Sequence, residues 1–256
     1  PRGLQILVTP EHNSLKSIID AHIAENNITY DAIEYLDIRG DLGSSVDIES
    51  NYHFINTYLL NLKVLNLRYA NMTTIPRFAF YRNRSIHYVV LPNNLRKIEQ
   101  SAFEESELRN VNLYIPPTVD YVGTNAFYNT QITGSIVLSN YSGNIYLGND
   151  AFNTPYIFTA VFCEGISNID GGEPFNKFLT VMVLPSTLNS IHYTILHNVG
   201  IICCHPTIPP QITGSANGIL LNPSKIGAVL VPFGSYLLYI DETSLWSLLN
   251  PSPGLP

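Results

Sequence analysis

The side chains able to do chemistry are few and scattered. Seven histidines, His12, His22, His53, His87, His192, His197 and His205, are spread over the whole chain. A zinc site of the His-Glu-x-x-His or Cys-x-x-Cys type needs ligands spaced so that one helix face or one knuckle presents them together. No such spacing occurs. "HYTILH" puts His192 and His197 five residues apart, which reads as two unrelated surface positions. Glu104 and Glu105 are adjacent carboxylates, the raw material of a general acid and base, but they lie in a loop with no partner pattern around them. Nucleophile-elbow, Walker and dinucleotide glycine patterns are absent, and "GGEPF" at 171–175 reads as a turn. Cys163, Cys203 and Cys204 are too few and too unevenly spaced for a disulfide framework or a cysteine-rich metal site. The chain therefore reads as non-enzymatic, with no cofactor and no metal.

Composition narrows the rest. Of 256 residues 45% are hydrophobic and 13% charged, enough apolar material for a large core and too much for disorder. A formal charge of −7 disfavours nucleic acid as a partner. Arg68, Arg77, Arg82, Arg84, Arg96, Lys97 and Arg109 form a loosely basic segment, which reads as solvated loop charge. No uninterrupted apolar run reaches the ~18 residues of a membrane helix, so no transmembrane segment is expected. The start at Pro1-Arg2-Gly3, without a methionine, is expected to be that of a mature or trimmed form.

What positions the side chains is a repeat. Ala-Phe occurs at Ala79-Phe80, Ala102-Phe103, Ala126-Phe127 and Ala151-Phe152, with the phenylalanines 23, 24 and 25 residues apart. Ile75, Ile98 and Val122 each precede the alanine by four residues, and Leu95 and Val119 lie three further back. Before these come the strand-like pieces "LKVLNL" (62–67), "IHYVVL" (86–91) and "LRNVNL" (108–113), apolar at their first, fourth and sixth positions. Weaker copies stand at 135–138, 160–163, 179–184 and 200–204. A unit this short cannot bury its own apolar edge, so each must stack on its neighbours around one shared core. Pro92, Pro116 and Pro185 end the strand where the chain turns a corner.

"LPNNLRKIEQSAF" (91–103), "IPPTVDYVGTNAF" (115–127) and "LPSTLNSIHYTIL" (184–196) resemble the leucine-rich repeat of BspA-like surface proteins, although the last ends in Ile195-Leu196 instead of Ala-Phe. "TIPPQIT" (207–213), "VLVPFGSYLLYI" (229–240) and Trp246 are similar to that family's closing segment, and "ITYDAIEYLDIRGDL" (28–42) to an opening strand. The resemblance implies a leucine-rich-repeat solenoid, a strand-rich right-handed superhelix with few helices. It divides into an N-terminal cap over 1–61, repeats over 62–204 and a closing segment over 205–256. It also implies an extracellular or outer-surface location, with any signal or lipid anchor outside this sequence, and adhesion to host or bacterial surface proteins.

Caps are needed because terminal coils would otherwise expose core. A helix over 14–25 with Asn13 or Ser14 as N-cap, a second around 49–60, and the aromatic segment 235–249 fit that need. Cys163 and Cys203 fall at the inward position held by Leu91, Leu113 and Leu184. Two coils apart, they stand about 10 Å from each other, beyond the ~7 Å of a disulfide. Cys204 then faces outward.

Residues alternating with the inward ones form the exposed sheet face: Asn66, Val90, Asn112, Val137, Phe162 and Val183 in the central column. Val64, Tyr88, Asn110, Ser135, Ala160 and Val181 flank it on one side, and Arg68, Pro92, Tyr114, Ser139, Glu164 and Pro185 on the other. The candidate binding face is Asn66, Tyr88, Val90, Asn112, Tyr114, Val137, Phe162 and Val183. Such a surface suits protein recognition, or else is covered by loops or another domain. The sixteen tyrosines and the asparagines leave a second reading, a glycan-capturing accessory module.

Overall fold

From Val64 on, a typical coil makes two short parallel strands joined by a corner, which a proline marks at Pro92, Pro116 and Pro185, and the next coil repeats them one strand spacing further on. A computed structural model describes residues 4–8, 14–43, 50–175, 179–214, 226–240, 246 and 251–255. The front sheet opens with Leu4–Val8, Tyr35–Gly40, Val64–Asn66 and Tyr88–Val90. It resumes with Val111–Ile115, Thr133–Leu138, Ile157–Phe162, Leu179–Leu184, Val199–Cys204, Ala228–Pro232 and Pro251–Leu255. The back sheet is seven short parallel strands, from Thr74–Ile75 through Lys97–Ile98, Tyr121–Val122, Asn144–Leu147, Asn168–Gly171 and Ser190–His192 to Gln211–Thr213. The fold is a parallel β-solenoid with few helices, the leucine-rich-repeat architecture that the periodicity predicts. The opening strand is Leu4–Val8, and Tyr35–Gly40 pairs second to it.

Between the sheets lies one continuous apolar core, in which Leu95, Ile98, Val119 and Val122 are fully buried. At its far edge the rings of Phe80, Phe103, Phe127 and Phe152 stack coil on coil, with centroids 5.1, 5.0 and 5.5 Å apart and planes within 16° of parallel. Phe175 continues the column at 5.7 Å, so "GGEPF" is a turn that also carries the next ring. The alanine has a second task besides smallness. Phe80 N–H donates to Ala102 O at 2.7 Å, Phe103 to Ala126 and Phe127 to Ala151 at 2.8 Å, and Phe152 to Pro174 at 2.9 Å. Only a carbonyl is needed there, which is why proline can stand in alanine's place. The turn itself is costly: Phe78, Ser101, Asn125 and Asp150, each just before the small residue, have positive φ, a conformation costing non-glycine residues of order 1–3 kcal/mol. The coil-to-coil bonds and ring burial offset it.

Charged side chains of the basic segment pair from coil to coil on the surface: Arg82 with Glu105, Arg84 with Glu107, Arg96 with Asp120. Exposed pairs of this kind stabilise little, because solvent screens them.

Helix α1 (Leu15–Asn26) is capped by Ser14, whose hydroxyl accepts from Ser17 N–H, and buries Leu15 and Ile19. Helix α2 (Asn51–Tyr58) is capped by Ser50 and buries Tyr52, Phe54 and Ile55. Asn51 Oδ1 accepts from Leu15 N–H, tying the two together. Of the aromatic segment expected over 235–249, residues 235–240 and Trp246 are described, including the short helix α3 (Tyr236–Tyr239). Tyr239 and Trp246 are buried edge to face with centroids 5.9 Å apart, and the remainder lies outside the described residues.

Three front-sheet coils depart from the expected register, and a slip of one residue moves every side chain to the opposite face. In "AVFC" the inward residues are Ala160 and Phe162, the latter 1% exposed, while Val161 points out between Val137 and Val183. Phe162 and Ala160 therefore do not belong to the exposed face. In Val199–Cys204, Cys203 pairs with outward Val183, and Cys204 pairs with buried Leu184. Cys204, not Cys203, is the inward thiol. Cys163 lies just past Phe162 and is half-buried instead of filling the inward position. In the coil at 108–115 Val111 is 68% exposed and the inward pair is Leu113 and Ile115, because a bulge separates Val111 from Leu113. The alternation of apolar types cannot reveal such slips where both neighbours are apolar.

Replacing Phe127 by alanine should cost about 3–5 kcal/mol, read as a lower urea midpoint, since the ring is fully buried and stacked on both sides. An unchanged midpoint would remove the ring column as the organising contact. Burial, opposed by the hydrogen bond to Tyr239, pushes the Cys204 thiol up to about 12. In a native titration with a disulfide reagent at pH 8, Cys204 should stay silent and react only in urea, and Cys204→Ala should delete that late thiol. Native modification of Cys204 as fast as Cys203 would contradict the assigned register.

Candidate functional site

Among the described residues the front sheet is interrupted once, between Tyr88–Val90 and Val111–Ile115. An asparagine side chain does there what a backbone strand does elsewhere. Val89 N–H donates to Asn110 Oδ1 at 3.2 Å, and Asn110 Nδ2 donates to Val89 O at 3.0 Å, so the primary amide pairs with both peptide groups of Val89. Asparagine is suited to this because its side chain carries the same donor and acceptor as a peptide. Arg109 N–H reaches back to His87 O at 2.7 Å and Thr133 N–H to Asn110 O at 3.1 Å, holding the segment from both sides.

Two residues on, Asn112 adopts φ 58°, the left-handed region that asparagine tolerates better than most residues. Its Oδ1 accepts from Ser135 N–H at 3.0 Å. Gly134 makes room: a Cβ there would lie 2.6 Å from Asn112 Oδ1. The two asparagines thus end one sheet and start the next without leaving the break unbonded, and the bulge at Asn112 is what turns Val111 outward.

The break opens a groove of about 380 Å³, lined by Arg68, Tyr69, Val90, Asn93, Asn112 and Tyr114 among others. Tyr69 and Tyr114 are 58% and 54% exposed, and Tyr88 beside them 47%. The Arg39 guanidinium lies over the Tyr69 ring at 5.3 Å, a cation–π contact that holds the ring in place. His87 is held below the usual imidazole range, first by burial and then by Arg109 and Lys63, so it is neutral at physiological pH.

The eight expected face residues divide accordingly. Val90, Asn112 and Tyr114 line the groove; Tyr88 precedes Val89 on the same strand, and Asn66 pairs in register with Val90. Asn66 is partly committed to structure, accepting from Arg68 N–H at 3.1 Å. Val137 and Val183 lie further along the sheet, in one outward column with Val161. Phe162 is in the core. Sequence reading missed Tyr69, which follows its strand outside any repeated position, and placed Asn110 on the face where its amide in fact closes the break. Among the described residues no group of three His, Cys, Asp or Glu side chains converges to hold a metal ion. The groove offers phenol rings, a guanidinium, amides and valines, the chemistry of recognition by packing and hydrogen bonding.

A family model described as "BspA type Leucine rich repeat region" matches residues 73–202 in six copies. Among solved structures, the chain is similar to a leucine rich cell surface protein from Faecalibacterium prausnitzii A2-165. The identity is 15%, over 72% of this chain and 65% of that one, with a TM-score of 0.29. The match thus spans less than two thirds of that protein's length. No curated protein matches the chain.

Asn110→Leu should leave both peptide groups of Val89 without their partner and cost about 1–3 kcal/mol. Hydrogen exchange should show the Val89 amide losing protection while amides of Leu179–Leu184 keep theirs. Unchanged Val89 protection would mean that the side chain does not close the break.

Proposed function

This chain belongs to the BspA-type leucine-rich repeat family, and from that premise we propose that it is a non-catalytic recognition module, displayed at a cell surface or secreted, that binds a protein partner on its broken front sheet. The observation that carries this reading is the cluster of exposed Tyr69, Tyr88 and Tyr114 around Val90 and the groove beside it. Tyrosine and arginine are the side chains that dominate binding energy at protein interfaces, because they bury large rigid surfaces and still hydrogen-bond. Here they surround an apolar centre and are flanked by polar Asn93 and Asn112, which suits a desolvated centre with a hydrated rim.

The wider sheet supports the same reading. Parallel sheets are almost always covered on both faces. This one leaves the column Val137, Val161 and Val183 half-buried, with Ile201 exposed further along. A partner seated at the break extends naturally over that column. The partner class we propose is a host or bacterial surface protein, with binding serving adhesion.

The test is surface plasmon resonance against a panel of purified plasma, matrix and bacterial surface proteins, with circular dichroism as a folding control. The double variant Val90→Asp/Tyr114→Asp should lower affinity for any bound protein by about 30-fold or more, the scale of losing one interface hot spot of about 2 kcal/mol. Phe162 is unsuitable for this purpose, since a charge there enters the core. Equal affinity of wild type and double variant would move the binding face elsewhere.

A further inference from the structure

A larger groove runs along the outer face of the back sheet, about 750 Å³ in volume, within the range of about 300–1,000 Å³ typical of small-molecule sites. Its geometry follows from the ladder register. Tyr146 pairs with Asp170, and the pairing of Asn168 with Ser190 and Ile169 with Ile191 sets Asp170 opposite His192. Ring, carboxylate and ring therefore stand on three successive coils.

The Tyr146 ring is backed by Tyr121, stacked at 5.2 Å with planes 5° from parallel, so one of its faces is occupied and the other looks toward Asp170. Its ring is 40% exposed. Two strand spacings separate the two ring-bearing coils, about 9–10 Å. A ring-shaped ligand between two walls needs about 3.5–4.0 Å of contact distance on each side, or about 7–8 Å. One puckered ring fits above the short Asp170 side chain; a helix about 10–12 Å across does not.

The polar groups define the chemistry. Thr194 Oγ1 donates to Gly171 O, so His192 Nδ1, 2.6 Å from that hydroxyl, is the donor to it. Gly214 on the next coil packs against the Nε2 edge of that ring, where a Cβ would lie 1.8 Å from Nε2, so the backbone holds the imidazole in place. Alongside runs a neutral ladder: Ser190 Oγ donates to Asn168 Oδ1 at 2.7 Å, and Asn168 Nδ2 to Asn144 Oδ1 at 2.6 Å. Asp120 at one end is paired with Arg96, so Asp170 is the carboxylate in the groove without such a cation in the described ion pairs. Ile145 and Ile169, the aliphatic residues of the lining, are buried.

We propose that this groove binds a neutral oligosaccharide, with one sugar ring between Tyr146 and His192 and its hydroxyls on Asp170, Asn144, Asn168 and Ser190. Sugar hydroxyls donate and accept at once, as this mixed set of acceptors, amides and hydroxyls requires. The apolar face of a pyranose supplies the partner for the open face of Tyr146. Asp170 disfavours anionic sugars. A protein ligand would find no exposed aliphatic anchor here. The polar rows extend over successive coils in steps of about 4.8 Å, so a linear polymer meets a similar set of groups along its length. This site lies on the opposite sheet from the proposed protein-binding groove and stands or falls separately.

Native affinity electrophoresis with a soluble β-glucan, a xylan and a galactomannan tests it, with polygalacturonate as the anionic and poly-L-lysine as the cationic comparison. At least one neutral polymer should retard the protein. Tyr146→Ala and Asp170→Ala, the latter on an exposed side chain whose carboxylate accepts from the neighbouring Gly171 N–H at 2.8 Å, should each weaken that binding at least tenfold, with circular dichroism as the folding control. Val90→Asp/Tyr114→Asp should leave it unchanged. The proposal is overturned if none of the three neutral polymers retards the protein, if retardation survives either groove substitution, if it is lost in the Val90/Tyr114 variant, or if polygalacturonate or poly-L-lysine binds in preference.

Discussion

The stack of phenylalanine rings from Phe80 to Phe175 is the contact on which the other features depend. No coil of some 23 residues has a core of its own, so stability resides in what each coil shares with the next. The rings are buried between the coils, and the Phe N–H to small-residue carbonyl bonds run beside them. That pairing sets the phase of the whole coil. With the aromatic corner held, the chain returns to the front sheet after a nearly constant number of residues, and Leu and Ile positions meet their equivalents above and below. The strained backbone before each Ala-Phe persists for the same reason: neighbouring coils repeat it and bond to it, so relaxing one turn disrupts three.

A fixed phase for the inward residues frees the outward ones. Asn110 shows how far that freedom goes. A break in a ladder ordinarily exposes unpaired peptide groups, each as costly as a lost hydrogen bond. Here a single amide satisfies both groups of Val89, so the sheet can part and form a groove while the core beneath, from Val89 through Leu113, stays closed. The back-sheet groove arises differently. There the ladder is intact and the depth comes from side-chain size, a short aspartate on the coil between two ring-bearing coils. Both grooves are rigid consequences of register, so neither has to order itself when a ligand arrives, which lowers the entropic cost of binding.

The sequence made the repeat legible because the signals that specify it are redundant. Ala-Phe recurs four times, and Ile75, Ile98 and Val122 keep a constant distance from it, so an error at one copy is corrected by the others. Coils at 160–163 and 200–204 lack that protection. "AVFC" and "IICC" are apolar at every position, so alternation gives no phase, and what decides between the two faces is pairing with Leu138 and Leu184 on neighbouring coils. The bulge at Asn112 was illegible for a related reason: an asparagine in a strand pattern reads as an exposed position, and its side-chain oxygen occupies the space that Gly134 leaves in the next coil. Tyr88, Val90 and Tyr114 were found because they alternate with clear teeth. The back-sheet groove left no trace, because its strands are two to four residues long and its members, Tyr146, Asp170 and His192, differ in type from coil to coil.

That last contrast bears on how such a chain acquires function. Positions that define the solenoid must be alike on every coil, and repetition is what makes them visible. Positions that recognise a ligand must differ between coils, since a ring, a carboxylate and a second ring in succession are what distinguish one ligand from another. Recognition residues in a repeat protein are therefore those that break the repeat while keeping its register. The outward residues that depart most from their equivalents, Asn110 and Asn112 on the front and Asp170 between Tyr146 and His192 on the back, lie at the two grooves. The core gains from uniformity and the surface from its loss, and the stacked phenylalanines let both hold in one chain.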